Sequence, residues 1–268
     1  MTMTSTLQKR AILVSSCDSY SDAWPLFFHF YFKYCGACDL PVYLLANHKS
    51  YQDARVKMLN VGDDVSWTDG ISKALQQMDA THLLFLQDDF LLNQPLDFTE
   101  FQKVFDQFIS VGGLSLEIDL RSDQGPDVPT TWLRQSNAQN LHSGLNATLW
   151  RKDFLEEIAS VAGLNIWQAE TRIRDCLRQG RRGLYFLKKE TPPILSYVES
   201  IKGGFWQPAA IEFLKSQGLK PDLQKRPCPP QGKGLIPKLI RSYLKKRMRR
   251  QNKSAPLALE VFPLSHPA

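Results

Sequence analysis

Short apolar runs alternate along the chain with amphipathic stretches, and that alternation predicts the elements. Ala11–Ser16 is an apolar run opening into the polar Cys17-Asp18-Ser19, the pattern of a strand buried on both faces and ending in a loop. Pro41–Ala46, the shorter Arg55–Leu59 and Thr81–Leu86 repeat it. Ser21-Asp22, with Pro25 in the first turn, predicts a cap and a helix that is apolar nearly all round and therefore buried. Thr68-Asp69 reads as the cap of a helix through Met78, with Ile71, Leu75 and Met78 on one face. Asp97–Val111 sets Phe98, Phe101, Val104, Phe105 and Phe108 at helical spacing, which makes them core. In the second half Leu114–Leu120, Leu141–Leu149 and Gly183–Leu187 read as strands. Arg151–Ser160, Ile166–Gln179 and Gln207–Gln217 read as helices, and Arg226–Gly234 as a Pro/Gly hinge.

Strands alternating with helices predict an α/β domain on a mostly parallel sheet, whose ligands bind beyond the carboxyl ends of the strands. Two polar clusters, Ser15–Tyr20 and Gln87–Phe90, follow the first and fourth strands and so fall on one edge of that sheet.

The 268 residues, 43% hydrophobic and 11% aromatic, suffice for one large domain over residues 8–224. The odd count of 5 cysteines at irregular spacing argues for a reducing compartment. Cys35-Gly36-Ala37-Cys38 lacks the second pair that a zinc site needs, and it follows an aromatic segment where a redox CxxC would follow a strand. The apolar run at Ala11 is too short for a signal peptide, and Trp24–Cys35 is too short to span a bilayer. A cytoplasmic protein is the expectation.

Charge is unevenly placed. Residues 1–224 carry 22 Lys and Arg against 26 Asp and Glu, whereas residues 225–268 carry 11 against the single acid Glu260. A nucleic-acid partner would call for cations across the folded face, so none is expected. The five histidines do not cluster, and no HExxH, GxGxxG or GxxxxGK[ST] pattern occurs. Ser143-Gly144 lacks the flanking glycine of a nucleophile elbow.

Asp88-Asp89 is the feature that carries chemistry. Adjacent acids after a buried strand repel unless a cation neutralises them, although a turn or a cap also uses Asp. Magnesium or manganese held by one or two carboxylates plus substrate phosphates suits such a loop.

Ile12-Leu13-Val14-Ser15-Ser16-Cys17-Asp18-Ser19-Tyr20, Trp67 before a helix, and Leu84-Phe85-Leu86-Gln87-Asp88-Asp89-Phe90 together resemble a bacterial glycosyltransferase of the GT-A, Rossmann-like fold. Leu145–Lys152, Trp167-Gln168-Ala169-Glu170 and Gly203-Gly204-Phe205-Trp206 are similar to its acceptor-side elements and closing loop. The resemblance spans roughly residues 10–220. It implies a nucleoside diphosphate sugar as donor, a saccharide or lipid-linked acceptor, and a divalent cation (Mn2+ or Mg2+) on Asp89, the last acid of a DxD variant that begins with Gln87. It implies Glu170 as base, against the alternative of an acid paired with the helix dipole or with Arg174; Asp119, an acid within a largely apolar run, is the reserve. Ser16 and Asp88 then fall beside the donor; Asp18 either accepts from its base or ribose or caps the next helix, Tyr20 or Trp67 offers a stacking face unless Trp67 is core, and Lys202 beside two glycines is either a cation for the diphosphate or a surface residue. A bacterial surface polysaccharide or glycolipid is the implied product. A sugar nucleotidyltransferase is the competing enzyme, but its basic Gly-rich loop after the first strand is missing at Ser15–Tyr20. A non-catalytic peripheral membrane protein is the third reading.

Residues 225–268 form a tail beyond this domain. Leu235, Ile236, Leu239, Ile240, Tyr243, Leu244 and Met248 recur at three- and four-residue steps, and Lys238, Arg241, Lys245, Lys246, Arg247, Arg249 and Arg250 fill the other faces. Such a helix either docks on the body or lies on an anionic membrane. The density of cations favours the membrane.

Overall fold

The structure, a computed structural model, describes residues 8–36, 38–139, 144–230, 240 and 242–244. The first half supplies β1 (Arg10–Ser15), α1 (Trp24–Tyr34), β2 (Val42–Ala46), β3 (Val56–Asn60), α2 (Trp67–Gln76), β4 (His82–Gln87), β5 (Phe90–Leu92) and α3 (Phe98–Ser110). The second half supplies β6 (Ser115–Ser122), β7 (Leu133–Gln135), β8 (Thr148–Arg151), α4 (Lys152–Ala159), α5 (Ile166–Arg178) and β9 (Leu184–Lys188). The short strands β10 (Tyr197–Glu199), β11 (Ile201–Lys202) and β12 (Phe205–Trp206) follow, and then α6 (Pro208–Ser216).

Eight strands form one sheet in the order β3-β2-β1-β4-β8-β6-β9-β7. β1 is parallel to β2 and β4, β2 to β3, and β6 to β9, whereas β8 runs against both β4 and β6 and β7 against β9. The Rossmann-like α/β arrangement expected from the sequence is the one the chain adopts, with two reversed strands. Alternate residues of β1 divide the core. Ile12 and Val14 pack with Phe27 of α1, Phe101 and Phe105 of α3 and Leu214 of α6. Ala11 and Leu13 pack with Ile71 of α2, Phe154 of α4 and Ile173 of α5. Helices thus cover both faces, which is why β1, β2 and β4 read as continuous apolar runs rather than alternating ones.

Strand order turns back at β1 and β4, since β2 and β3 extend outward from one side of that pair and the rest of the sheet from the other. A crevice opens at the carboxyl ends of two such strands.

Three local readings need correction. The α1 cap is Ala23, without a side-chain hydrogen bond, because Asp22 is committed to an ion pair with Arg226. The α2 cap is Ser66, whose hydroxyl accepts from the Asp69 amide at 3.2 Å, while Thr68 is buried in the first turn. The strand expected over Leu141–Leu149 is the shorter β8, residues 141–143 lying outside the described residues. The amphipathic stripe and most of the cations of the tail also lie outside them, with residues 240 and 242–244 helical. No helix among the described residues is long and apolar enough to cross a membrane.

Candidate functional site

The carboxyl ends of β1 and β4 collect the polar residues. Trp24 Nε1 donates to Ser16 Oγ at 2.6 Å, and Ser16 Oγ in turn donates to Asp88 Oδ2. The Asp88 amide donates to the Ser15 carbonyl at 3.3 Å, continuing the β1–β4 ladder one residue beyond the strand. Burial, and then the neighbouring Asp89 charge, hold the Asp88 carboxyl well above the usual carboxylate range.

Asp89 is only 9% exposed, and its Oδ1 has no hydrogen-bond partner. Burial and the Glu199 carboxylate push it up to about 7, against the opposing pull of Arg226 and Lys202. Its carbonyl accepts from the Ser200 amide at 2.7 Å and from the Ser200 hydroxyl at 2.9 Å. That anchors the β11–β12 hairpin beside the acid pair. Gly203 and Gly204 at the hairpin turn have φ of 59° and 90°, a conformation that only glycine enters without strain. Lys202, on the hairpin, is mostly exposed and stands 3.6 Å from Glu199.

Asp18 serves the loops. Its Oδ1 accepts from the backbone amides of Asn47, His48 and Lys49 at 3.0–3.1 Å, tying the loop after β1 to the loop after β2. Tyr20 lies near the acid pair, which together with burial raises its hydroxyl to about 12. Trp67 meets Phe85 edge-on at 6.3 Å and packs on the α2 face of the core. Tyr20, and Trp24 through Ser16, are therefore the aromatic residues described at the acids.

A second group of acids sits along the same edge. Glu170 of α5 accepts from the Leu145 amide at 3.4 Å through Oε1 and pairs with Arg174 at 3.4 Å through Oε2. Asp119 Oδ2 accepts from the Tyr197 hydroxyl at 2.5 Å, and Asp119 Oδ1 has no partner. Glu117 is 7% exposed, and its Oε1 has no partner. Burial first, and then Asp119, raise its carboxyl to about 8, partly offset by a hydrogen bond from the Gly144 backbone.

Two residues of this site were not legible. Glu117 stands two positions before Asp119 on β6, so strand alternation was the available signal. Arg226, read as part of the hinge, is packed into the body. Its guanidinium donates to Asp22 at 2.8 and 3.1 Å, to the Ser19 carbonyl at 2.9 Å and to the Gly204 carbonyl at 3.0 Å, and it covers the Tyr20 ring at 4.5 Å. A buried cation needs such partners, and here they come from the loop after β1 and from the hairpin.

Among the described residues no three His, Cys, Asp or Glu side chains are grouped to cage a metal ion. The buried, unpartnered Asp89 Oδ1 does suit a cation that takes one carboxylate and completes its shell from substrate phosphates. Gln168, at the place where the resembled pattern has an acid, forms a capping box with Asn165 at 2.9 and 3.0 Å.

No protein-family profile matches the chain, and no curated protein sequence matches it. Solved structures are similar at low identity. S. aureus TarS 1–349 in complex with UDP-GlcNAc has a TM-score of 0.48 at 14% identity, covering 78% of this chain and 65% of that one. CMP:2-keto-3-deoxy-manno-octonic acid synthetase complexed with CTP has 0.47 at 14%, covering 79% and 100%. A cytidylyltransferase from Leptospira borgpetersenii serovar Hardjo-bovis has 0.44 at 10%, covering 79% and 95%. The chain thus spans less than two thirds of the TarS 1–349 length.

Proposed function

We propose that the protein is a glycosyltransferase that moves a sugar from a nucleoside diphosphate sugar to a hydroxyl acceptor. One observation carries the reading. A buried acid pair with an unpartnered oxygen stands where the sheet opens, joined through Gln87 and Leu145 to a second acid group containing Glu170.

In this mechanism Asp89 holds a divalent cation, manganese or magnesium, which when bound supplies positive charge to the diphosphate leaving group. The chain's own cations assist: Lys202 reaches the same end from the hairpin, and Arg226 holds that hairpin against the loop after β1. Ser16 orients Asp88, Asp18 sets the loops that enclose the nucleotide, and Tyr20 offers it a ring face. Trp67, packed on Phe85 with its Nε1 buried, takes no part in holding the nucleotide. Glu170 takes the acceptor proton as the new carbon–oxygen bond forms and the bond to the diphosphate oxygen breaks, with Asp119 as the reserve base. A saccharide or lipid-linked acceptor of a bacterial surface polysaccharide or glycolipid, and a tail resting on the cytoplasmic face of an anionic membrane, complete the proposal.

The test is a screen of uridine, guanosine and thymidine diphosphate sugars with and without manganese. One donor is expected to bind and to hydrolyse slowly in a metal-dependent way. Failure of every donor would overturn the reading. Release of diphosphate from a nucleoside triphosphate plus a sugar phosphate would instead identify a nucleotidyltransferase, and nucleotide binding of neither kind a non-catalytic membrane protein.

A further inference from the structure

Gln87 fills the first place of its triplet, where the resembled motif has an acid. It ends β4, paired in register with Ser15. Its amide Nε2 donates to the Leu145 carbonyl at 2.7 Å. Leu145 is fully buried, and its own amide donates to Glu170 Oε1 at 3.4 Å, a long bond that gives little orientation by itself. One residue earlier, Gly144 lies against the second acid group, so close that a Cβ there would meet Glu117 Oε1 at 3.3 Å. A single residue therefore runs from the acid pair at the end of β4 to the segment that holds Glu170 and Glu117.

We infer that Gln87 is a positioning residue, a strut that fixes the separation between the donor-phosphate end of the cleft and its acceptor end. The chemistry requires an amide. A carboxylate has no proton to donate to a carbonyl, and it would crowd a third acid against Asp88 and Asp89. Replacing the acid by Gln exchanges a charge for a strut and leaves Asp89 as the candidate metal ligand. Gln168 differs: in the capping box at the start of α5 its Oε1 accepts from the Asn165 amide, a bond that a carboxylate would make as well.

The inference rests on the transferase reading for its functional half and on geometry alone for its structural half, and the test separates them. Gln87→Met keeps length and neutrality but removes the donor, and Gln87→Glu keeps shape and adds charge. Hydrogen exchange in the full-length protein is expected to show the Leu145 and Gly144 amides about tenfold less protected in Gln87→Met, with the amides of β1 unchanged. Binding of uridine, guanosine or thymidine diphosphate with manganese stays within about twofold, while kcat for hydrolysis of the bound donor sugar falls about tenfold at unchanged donor KM. Gln87→Glu shows the same loss of protection at Leu145. Unaltered exchange at Leu145 in both variants would overturn the strut. So would a proportional loss of nucleotide binding and turnover, which marks a general structural defect. If the wild-type protein binds none of the three nucleotides, the transferase reading fails, and the exchange result still decides the strut.

Discussion

Glu117→Gln is expected to stabilise the protein, and increasingly so as the pH rises. The Glu117 carboxyl is raised from 4.5 to about 8 by burial and by the neighbouring Asp119 and Glu170 charges, with Arg174 and the Gly144 backbone acting in the opposite direction. The folded state thus binds the Glu117 proton more tightly than the unfolded chain does. Its contribution is least unfavourable below pH 4.5, worsens as the pH climbs towards 8, and is level above that. At about 1.4 kcal/mol per pH unit, the full interval costs about 5 kcal/mol. Gln keeps the shape without the charge, so it should gain about 3 kcal/mol over Glu at pH 7 and less than about 1 kcal/mol at pH 5. Urea unfolding of both proteins at pH 5, 7 and 8.5 measures the difference directly. A gap that does not change with pH, or a variant less stable than the wild type at pH 8.5, would refute the reasoning. The cost is tolerable only if the group is used, so donor-sugar turnover should fall in the stabilised variant.

Asp89→Asn should abolish manganese-dependent nucleotide binding, read by titration calorimetry, while circular dichroism stays that of the wild type and the melting temperature at pH 7 and above rises, because Asn removes a buried charge that burial and Glu199 disfavour. Glu170→Gln keeps the oxygen that accepts from Leu145, so donor affinity should hold while turnover falls at least about a hundredfold; lost affinity with persisting turnover would make Glu170 a binding residue. The full-length protein should sediment with anionic liposomes and not with neutral ones, and should release as salt rises, whereas a version ending at Pro230 should stay in the supernatant; equal pelleting of the two would end the membrane proposal.

Elements of the first half were legible because β1, β2 and β4 are buried on both faces and α1, α2 and α3 carry local signals of cap or period. The reversal of β8 was not, since its partners β4 and β6 lie far away in sequence and no local preference distinguishes a reversed strand from a parallel one. Strands β5, β10, β11 and β12 contain two or three residues each, below the length at which alternation can be read. Of the site, Ser16, Asp88 and Asp89 are brought together because adjacent parallel strands end side by side. Glu117 escaped notice inside an apolar run, where its acid looked incidental beside Asp119. Arg226 was hidden by company: in a segment dense with cations, nothing local marks the one that finds a buried carboxylate more than two hundred residues away.

That distance has a consequence for how the molecule comes into being. The ribosome delivers Asp22 early and Arg226 near the end of residues 1–230, so a nascent chain holding the loop after β1 carries its acid without its cation until almost all of that body has emerged. Burying an unpaired carboxylate costs several kcal/mol, so the loop should close, and the hairpin at Gly204 settle over the acid pair, only when the last segment arrives. A chain stopped at residue 224 would own every acid of the site and still leave it open, whereas six further residues would shut it.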